Sequence, residues 1–221
     1  MSSCDKLPTL AKSEVDNGNE SVTEAVFIPG AVGQLEAIVE ECTAPSAVAV
    51  LCHPHSEYGG SMQDLVLEIM GDLFQSLNIN CVRFNFRGVG RSDGSFDNGE
   101  GEVQDVLSVA SWTADRWPDL PVILSGYSFG AAMALIAAAR IEEQVSKLIL
   151  VAPPIQMMES DNALNIKSCV ILGGRDTVVS ASAASQYFGP EQIVVPQADH
   201  FFFAGAHIEL TKHIREFLDG A

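Results

Sequence analysis

LSGYSFGAA, residues 124–132, joins an apolar stretch to an alanine-rich one through Gly126-x-Ser128-x-Gly130. The preceding PVILSG has the length and composition of a strand, and the following FGAAMALIAAARI is rich in strong helix formers. The segment therefore predicts a strand that turns sharply into a helix at Ser128. Small residues flank the serine because its backbone must pack tightly against neighbouring elements. At a helix N-terminus the macrodipole favours developing negative charge, which makes Ser128 a candidate nucleophile. A glycine-rich helix start capped by a serine would show the same string. The other loops have to separate the two readings.

Outward from this turn the chain alternates between short apolar runs and helical patterns. AVAVLC, PVILSG, KLILVAPP and SCVILGG are apolar runs of strand length, NCVRFNF is a strand-like run interrupted by Arg83, and EQIVVPQ is a shorter one. Helical segments separate them: QDLVLEIMGDLFQSLN, EVQDVLSVASWTADRW, FGAAMALIAAARI, ASAASQYF and a final AHIELTKHIREFLD. In the first of these Leu65, Ile69, Leu73 and Leu77 recur at helical spacing on one face. Apolar strands alternating with helices predict an α/β fold, a mostly parallel sheet of about eight strands covered on both faces. SVTEAVFIPG and GQLEAIVEE, which are mixed in polarity, read as a hairpin at the start. Residues 1–20 are polar and unpatterned and are expected to form a flexible tail, leaving residues 21–221 as a single domain.

Acidic residues number 29 against 12 basic ones, a net charge of −17, which argues against nucleic acid or an anionic membrane as partner. No apolar run approaches the ~20 residues needed to span a bilayer. The opening MSSCDKLPTLAKSEVDNGNE lacks the basic-then-apolar order of a secretory signal, and a cytoplasmic location is expected. Cys4, Cys42, Cys52, Cys81 and Cys169 show no framework spacing and read as reduced thiols. Nothing in the sequence sets the oligomeric state.

Ligands of a parallel sheet bind beyond the C-terminal ends of its strands, so the chemistry belongs in the loops HPHSEYGG, RGVGRSDG, GYSFG, APPIQ, GGRD and ADHFF. A serine nucleophile needs a base, and the base needs a third group to hold its tautomer. Asp176 in GGRD and His200 in ADHFF follow Ser128 in that order, each at the end of a strand. His207 and His213 fall within the last helix, Asp199 adjoins His200 from an awkward direction, and APPIQ offers no carboxylate near its start. GYSFG, GGRD and ADHFF in this order resemble the α/β-hydrolase superfamily. HPH with the following YGG, and FRGVGRSDG, further resemble a family of small cap-less microbial serine esterases, similar to dienelactone hydrolases. The resemblance spans roughly residues 22–218. The nucleophile here is serine rather than the cysteine of dienelactone hydrolases, so that narrower activity is not implied.

The resemblance implies an α/β-hydrolase fold without a cap, a Ser128–Asp176–His200 triad and no cofactor. It also implies an oxyanion hole built from two backbone N–H groups, those of Phe129 and of the HPHSEYGG loop. Pro54 has no N–H, which leaves His55 as the donor, with Ser56 as the alternative. His53 and His55 could instead be half of a metal site, but Glu57 and Asp64 offer no patterned third ligand. The glycines of FNFRGVGRSDGSFDNGEG do not have nucleotide-loop spacing. Arg87, Arg91 and Arg175 are expected at the active edge, either paired with Asp93 or Asp97 or available to an anionic substrate. Only residues 155–167 separate KLILVAPP from SCVILGG, too few for a cap, so the site should be open to a small acyl substrate. Met157, Met158, Phe129, Phe201 and Phe202 could line an apolar pocket or belong to the core. The function this predicts is serine hydrolysis of a small ester, thioester or related acyl bond. Its alternatives are peptidase or transacylase chemistry, or a binding module on the same fold without turnover.

Overall fold

A computed structural model describes residues 12–16, 19–157, 165–188 and 192–220. Its nine strands are β1 (Lys12–Asp16), β2 (Asn19–Gly30), β3 (Gly33–Cys42), β4 (Ala47–Cys52), β5 (Ile79–Phe84), β6 (Val122–Tyr127), β7 (Val145–Val151), β8 (Lys167–Gly173) and β9 (Ile193–Val195). They form one sheet in the order β1-β2-β3-β5-β4-β6-β7-β8-β9. The first three strands and the β3–β5 pair are antiparallel, and everything from β5 to β9 is parallel. Five helices cover the sheet: α1 (Leu65–Ser76), α2 (Glu100–Arg116), α3 (Phe129–Arg140), α4 (Ala181–Phe188) and α5 (Ala206–Asp219).

Alternate residues of each central strand go to opposite cores. Val48, Val50 and Cys52 of β4 pack with α2 and α3, whereas Ala47, Ala49 and Leu51 pack with α1 and α5. β7 sorts the same way, with Leu148 and Leu150 on one side and Ile149 and Val151 on the other. This two-sided burial is why these strands read as continuous apolar runs. β4 lies between β5 and β6, so the chain leaves it in one direction through α1 and returns past it through α2. The strand order reverses there, and the crevice above the ends of β4 and β6 is where such a sheet places its ligand.

Two sequence expectations change. The sheet has nine strands rather than eight, because residues 12–16, expected to be tail, pair antiparallel with β2 as an edge strand. An edge ladder is made by backbone groups and needs no apolar pattern; residues 1–11 lie outside the described residues. The buried face of α1 is Val66, Leu67, Met70, Leu73 and Phe74, whereas Leu65 is half exposed. A row of i, i+4 residues advances about 400° per step and so winds off a straight interface. Asp64 caps this helix by accepting from the Val66 N–H at 2.9 Å, which fixes Leu65 at the solvent-facing start. The four described cysteines are free and buried. Among the described residues no helix is long and apolar enough to cross a membrane.

Met70→Ala should destabilise the protein by about 2–5 kcal/mol. Leu65→Ala should shift it by no more than about 0.5 kcal/mol. Urea denaturation of the two variants checks the assignment of the face, and equal losses would contradict it.

Candidate active site

Ser128 is held at φ 52°, ψ −122°, a conformation that residues with side chains rarely adopt, between the end of β6 and the start of α3. The strain is possible because its neighbours are glycines. A Cβ on Gly126 would collide with the backbone of Gly130, and one on Gly130 would collide with the Cys52 and His53 carbonyls. The Ser128 N–H donates to the Val151 carbonyl at 2.8 Å, and its own carbonyl accepts from Ala131 and Ala132, which starts the helix. α3 is alanine-rich and buried over most of its length, so it lies close against the sheet.

Asp176 and His200 arrive through a second close approach. A Cβ on Gly173 would strike the Ala198 and Asp199 carbonyls. Across this gap Gly174 and Arg175 donate to the Val195 and Ala198 carbonyls, each at 2.8 Å. The β8–α4 loop and the loop after β9 are thereby laced together. His200 Nε2 lies 3.0 Å from Ser128 Oγ, and its Nδ1 lies 2.7 Å from Asp176 Oδ2. The other Asp176 oxygen accepts from the Val178 and Val179 amides at 2.7 and 2.8 Å. Burial alone would push the Asp176 carboxyl up, but the hydrogen bonds from His200 and these two amides outweigh it and hold it below the ordinary range. Asp199 turns away from the imidazole ring and caps its own loop through the Phe201 and Phe203 N–H groups.

Tyr127, which sequence reading did not single out, spans the two halves of this arrangement. It is buried, and its hydroxyl donates to the His200 carbonyl at 2.9 Å. It occupies a variable position of the Gly-x-Ser-x-Gly string, so only its burial could have marked it. Burial, followed by the nearby Asp64, Asp176 and Asp199, pushes the Tyr127 hydroxyl up, which keeps it a proton donor.

The HPHSEYGG loop crosses the start of α3. His53 is fully buried, with Nδ1–H donating to the Pro54 carbonyl at 2.6 Å and Nε2 accepting from the Phe86 N–H at 3.0 Å. Both ring nitrogens are thus committed to backbone groups. The His55 ring packs against Tyr58, Phe96 and Phe129, with centroids 4.7 to 4.9 Å apart, and its Nδ1 accepts from the Glu57 N–H at 3.3 Å. Among the described residues, the backbone N–H groups of His55 and Phe129 donate to no protein acceptor. Gly60 permits the close return of this loop, because a Cβ there would collide with the Pro54 carbonyl.

Of the two accounts of the arginines, Arg87 follows the pairing one. Arg87 is buried and forms a bidentate pair with Asp105 of α2, at 3.0 and 2.7 Å, with Asp97 a distant 3.8 Å away. Asp105 also accepts from the Arg87 N–H, and the neighbouring buried Glu102 accepts from the Asp97 and Gly99 amides. A buried guanidinium satisfied in this way serves the scaffold, and Arg87 also lines the cavity that holds Met157. Arg91 is exposed and lies over the Phe27 ring on β2, and Arg175, also exposed, adjoins Asp176 in the chain. Of the apolar candidates, Phe129 and Phe202 belong to the core, Phe201 is exposed beside His200, and Met158 lies outside the described residues. Met157 lines a cavity of about 870 Å³ shared by α2 and α3, whose walls include Gly99, Met133 and Arg140 but none of Ser128, Asp176 and His200. This cavity and the reactive cluster are therefore separate features.

A strained serine at a strand-to-helix turn, on a doubly covered parallel sheet with His200 against its hydroxyl, defines an α/β hydrolase of the serine type. Over residues 43–170, more than half its length, the chain matches the family described as serine aminopeptidase, S33, and it belongs to that family. Solved structures similar to it include a lidless α/β serine hydrolase from Xanthomonas campestris, with 34% identity over 89% of this chain and 94% of that one and a TM-score of 0.80. An α/β serine hydrolase homologue from Coxiella burnetii is 33% identical over 87% of this chain and 96% of its own, with a TM-score of 0.79. Among curated proteins, an uncharacterized protein of Rickettsia prowazekii is 28% identical over 87% of each chain. Human monoglyceride lipase is 28% identical over 112 residues, 49% of this chain and 35% of the lipase.

Burial pushes the His53 imidazole down to about 4 from its ordinary 6.5. Between those values the unfolded chain binds a proton that the folded one refuses. Stability is therefore complete above pH 6.5 and falls as the pH drops toward 4, by up to about 1.4 kcal/mol per unit. Between pH 7 and 4.5 the wild type should lose about 2–3 kcal/mol more than a His53→Gln variant. Urea denaturation at both pH values checks this, and parallel losses would contradict it.

Proposed function

We propose that this chain hydrolyses a small ester or thioester through an acyl-enzyme formed on Ser128. The observation that carries the reading is the continuous line from Ser128 Oγ through His200 to Asp176, at 3.0 and 2.7 Å, with the serine held in a strained turn. Ser128 attacks the acyl carbon while His200 Nε2 takes its proton. Asp176 holds the ring with Nε2 toward the serine and stabilises the imidazolium that forms. The free N–H groups of Phe129 and His55 receive the oxyanion. The intermediate then expels the alcohol or thiol, which leaves with the proton held by His200. Water activated by the neutral His200 releases the acid and restores Ser128. No step uses a metal or cofactor. Residues 152–166 join β7 to β8 and are too few for a cap, which supports an open site and a small-molecule acyl substrate.

The same machinery cleaves amides, and the family's description keeps an N-terminal peptidase as the second reading. The monoglyceride lipase likeness adds monoacylglycerols to the ester candidates. A binding module without turnover would have no need for a strained serine against a buried imidazole–carboxylate pair. A panel of p-nitrophenyl esters graded by acyl length, run beside aminoacyl p-nitroanilides and monoacylglycerols, separates ester, peptide and glyceride specificity.

Ser128→Ala should abolish fluorophosphonate labelling and reduce ester turnover by at least roughly 10³-fold. His55→Ala should retain activity within about tenfold, because the role assigned to His55 belongs to its backbone. Added chelator should leave the rate unchanged. A wild type that takes no label, and that matches Ser128→Ala on every ester, would sink the enzyme reading.

A further inference from the structure

The loop after β9 holds two phenyl rings in solvent at a cost in backbone strain. Phe202 is buried at φ 54° and Ala204 follows at φ 54°, both in the left-handed region that non-glycine residues avoid. This zigzag throws the flanking Phe201 and Phe203 outward, where they are 52% and 54% exposed. The two rings are stacked, 14° from parallel with centroids 5.4 Å apart, and the Phe201 ring stands edge-to-face against the His200 imidazole at 5.5 Å. Asp199 fixes the pair by accepting from both of their N–H groups. Neither ring adds to the core; the buried Phe202 between them anchors the strained turn that presents them.

We propose that Phe201 and Phe203 form the subsite for the leaving group, and that this group is a neutral, planar aromatic alcohol. The inference rests on the esterase reading and assigns it a substrate class. When the tetrahedral intermediate collapses, the bond from the acyl carbon to the leaving oxygen breaks and its electron pair stays on that oxygen. The proton His200 took from Ser128 passes to it, so the leaving group must lie against His200 Nε2. The oxyanion lies toward the Phe129 and His55 N–H groups assigned to receive it. The exposed surface continuous with the His200 ring is the Phe201–Phe203 pair, and a stacked aromatic platform favours a flat aromatic partner over an aliphatic one of equal bulk. The net charge of −17 disfavours an anionic alcohol portion.

The test compares benzyl acetate with cyclohexylmethyl acetate, which share an acyl group and similar leaving-group basicity but differ in aromaticity. Wild type should favour benzyl in kcat/KM by roughly three- to tenfold. A Phe201→Leu/Phe203→Leu double variant should bring that ratio to about one, while Ile208→Ala, which removes another exposed apolar side chain, should preserve it. Thermal unfolding and fluorophosphonate labelling confirm that the double variant is folded with its serine competent. A wild-type ratio near one, or a ratio untouched in the double variant, overturns the subsite. An unchanged ratio together with a dimer-to-monomer change in sedimentation assigns the rings to a second copy of the chain instead. Failure of the wild type to take the label sinks the esterase reading itself, and this inference with it.

Discussion

The site depends on one steric constraint, the contact of the α3 backbone with the loop leaving β4. Gly130 touches the Cys52 and His53 carbonyls, and Gly126 touches Gly130, with no room for a methyl group at either point. This contact presses the start of α3 against the end of the adjacent strand and leaves Ser128 at φ 52° with its side chain projecting above the sheet. The neighbouring strands are paired along their length, Val48–Cys52 with Val122–Gly126, so the contact cannot relax by sliding. The same approach brings the His55 ring onto Phe129, so one packing event sets both the serine and the loop opposite it.

A second layer fixes the loop from below. The buried Arg87–Asp105 pair anchors the segment after β5, and Glu102 ties Asp97 and Gly99 to the first turn of α2. Phe86 in that segment donates to His53, which in turn holds Pro54. The chain of support runs from α2 through Arg87, Phe86 and His53 to the turn that carries His55. Buried charges are expensive unless fully satisfied, and here each oxygen of Asp105 and Glu102 has a partner. This explains how a glycine-rich loop full of charges is held in place by the protein's own groups.

What could be seen in the sequence was what local chemistry dictates. Alternating apolar runs specified the parallel sheet because two-sided burial leaves a compositional trace. GYSFG marked the turn because only small residues fit it, and Asp176 and His200 could be located because they sit at strand ends in a fixed chain order. What escaped depended on partners far along the chain. Arg87 gave no sign that Asp105, 18 residues later, would consume its guanidinium. The β1 edge left no apolar pattern, and the winding of the i, i+4 row carried Leu65 off the buried face of α1. Tyr127 was hidden in a variable position of its own motif, and the outward pair Phe201 and Phe203 was invisible because side-chain direction there follows from backbone strain.

That strain is not spread evenly. Six described non-glycine residues have positive φ: Asn78, Asn98, Ser128, Ala152, Phe202 and Ala204. The two asparagines tolerate this conformation through their short polar side chains. The other four are at the C-terminal edge of the sheet, just after β6, β7 and β9. Ser128 is held by its bond to Val151, and Ala152 by its bond to Ile171. Phe202 is held by its burial in the core beneath its own loop. Three of these four are thus secured by a neighbouring strand or by the core. A sheet buried on both faces supplies fixed anchor points at its edge, and the edge spends that rigidity on backbone shapes an isolated loop would not keep.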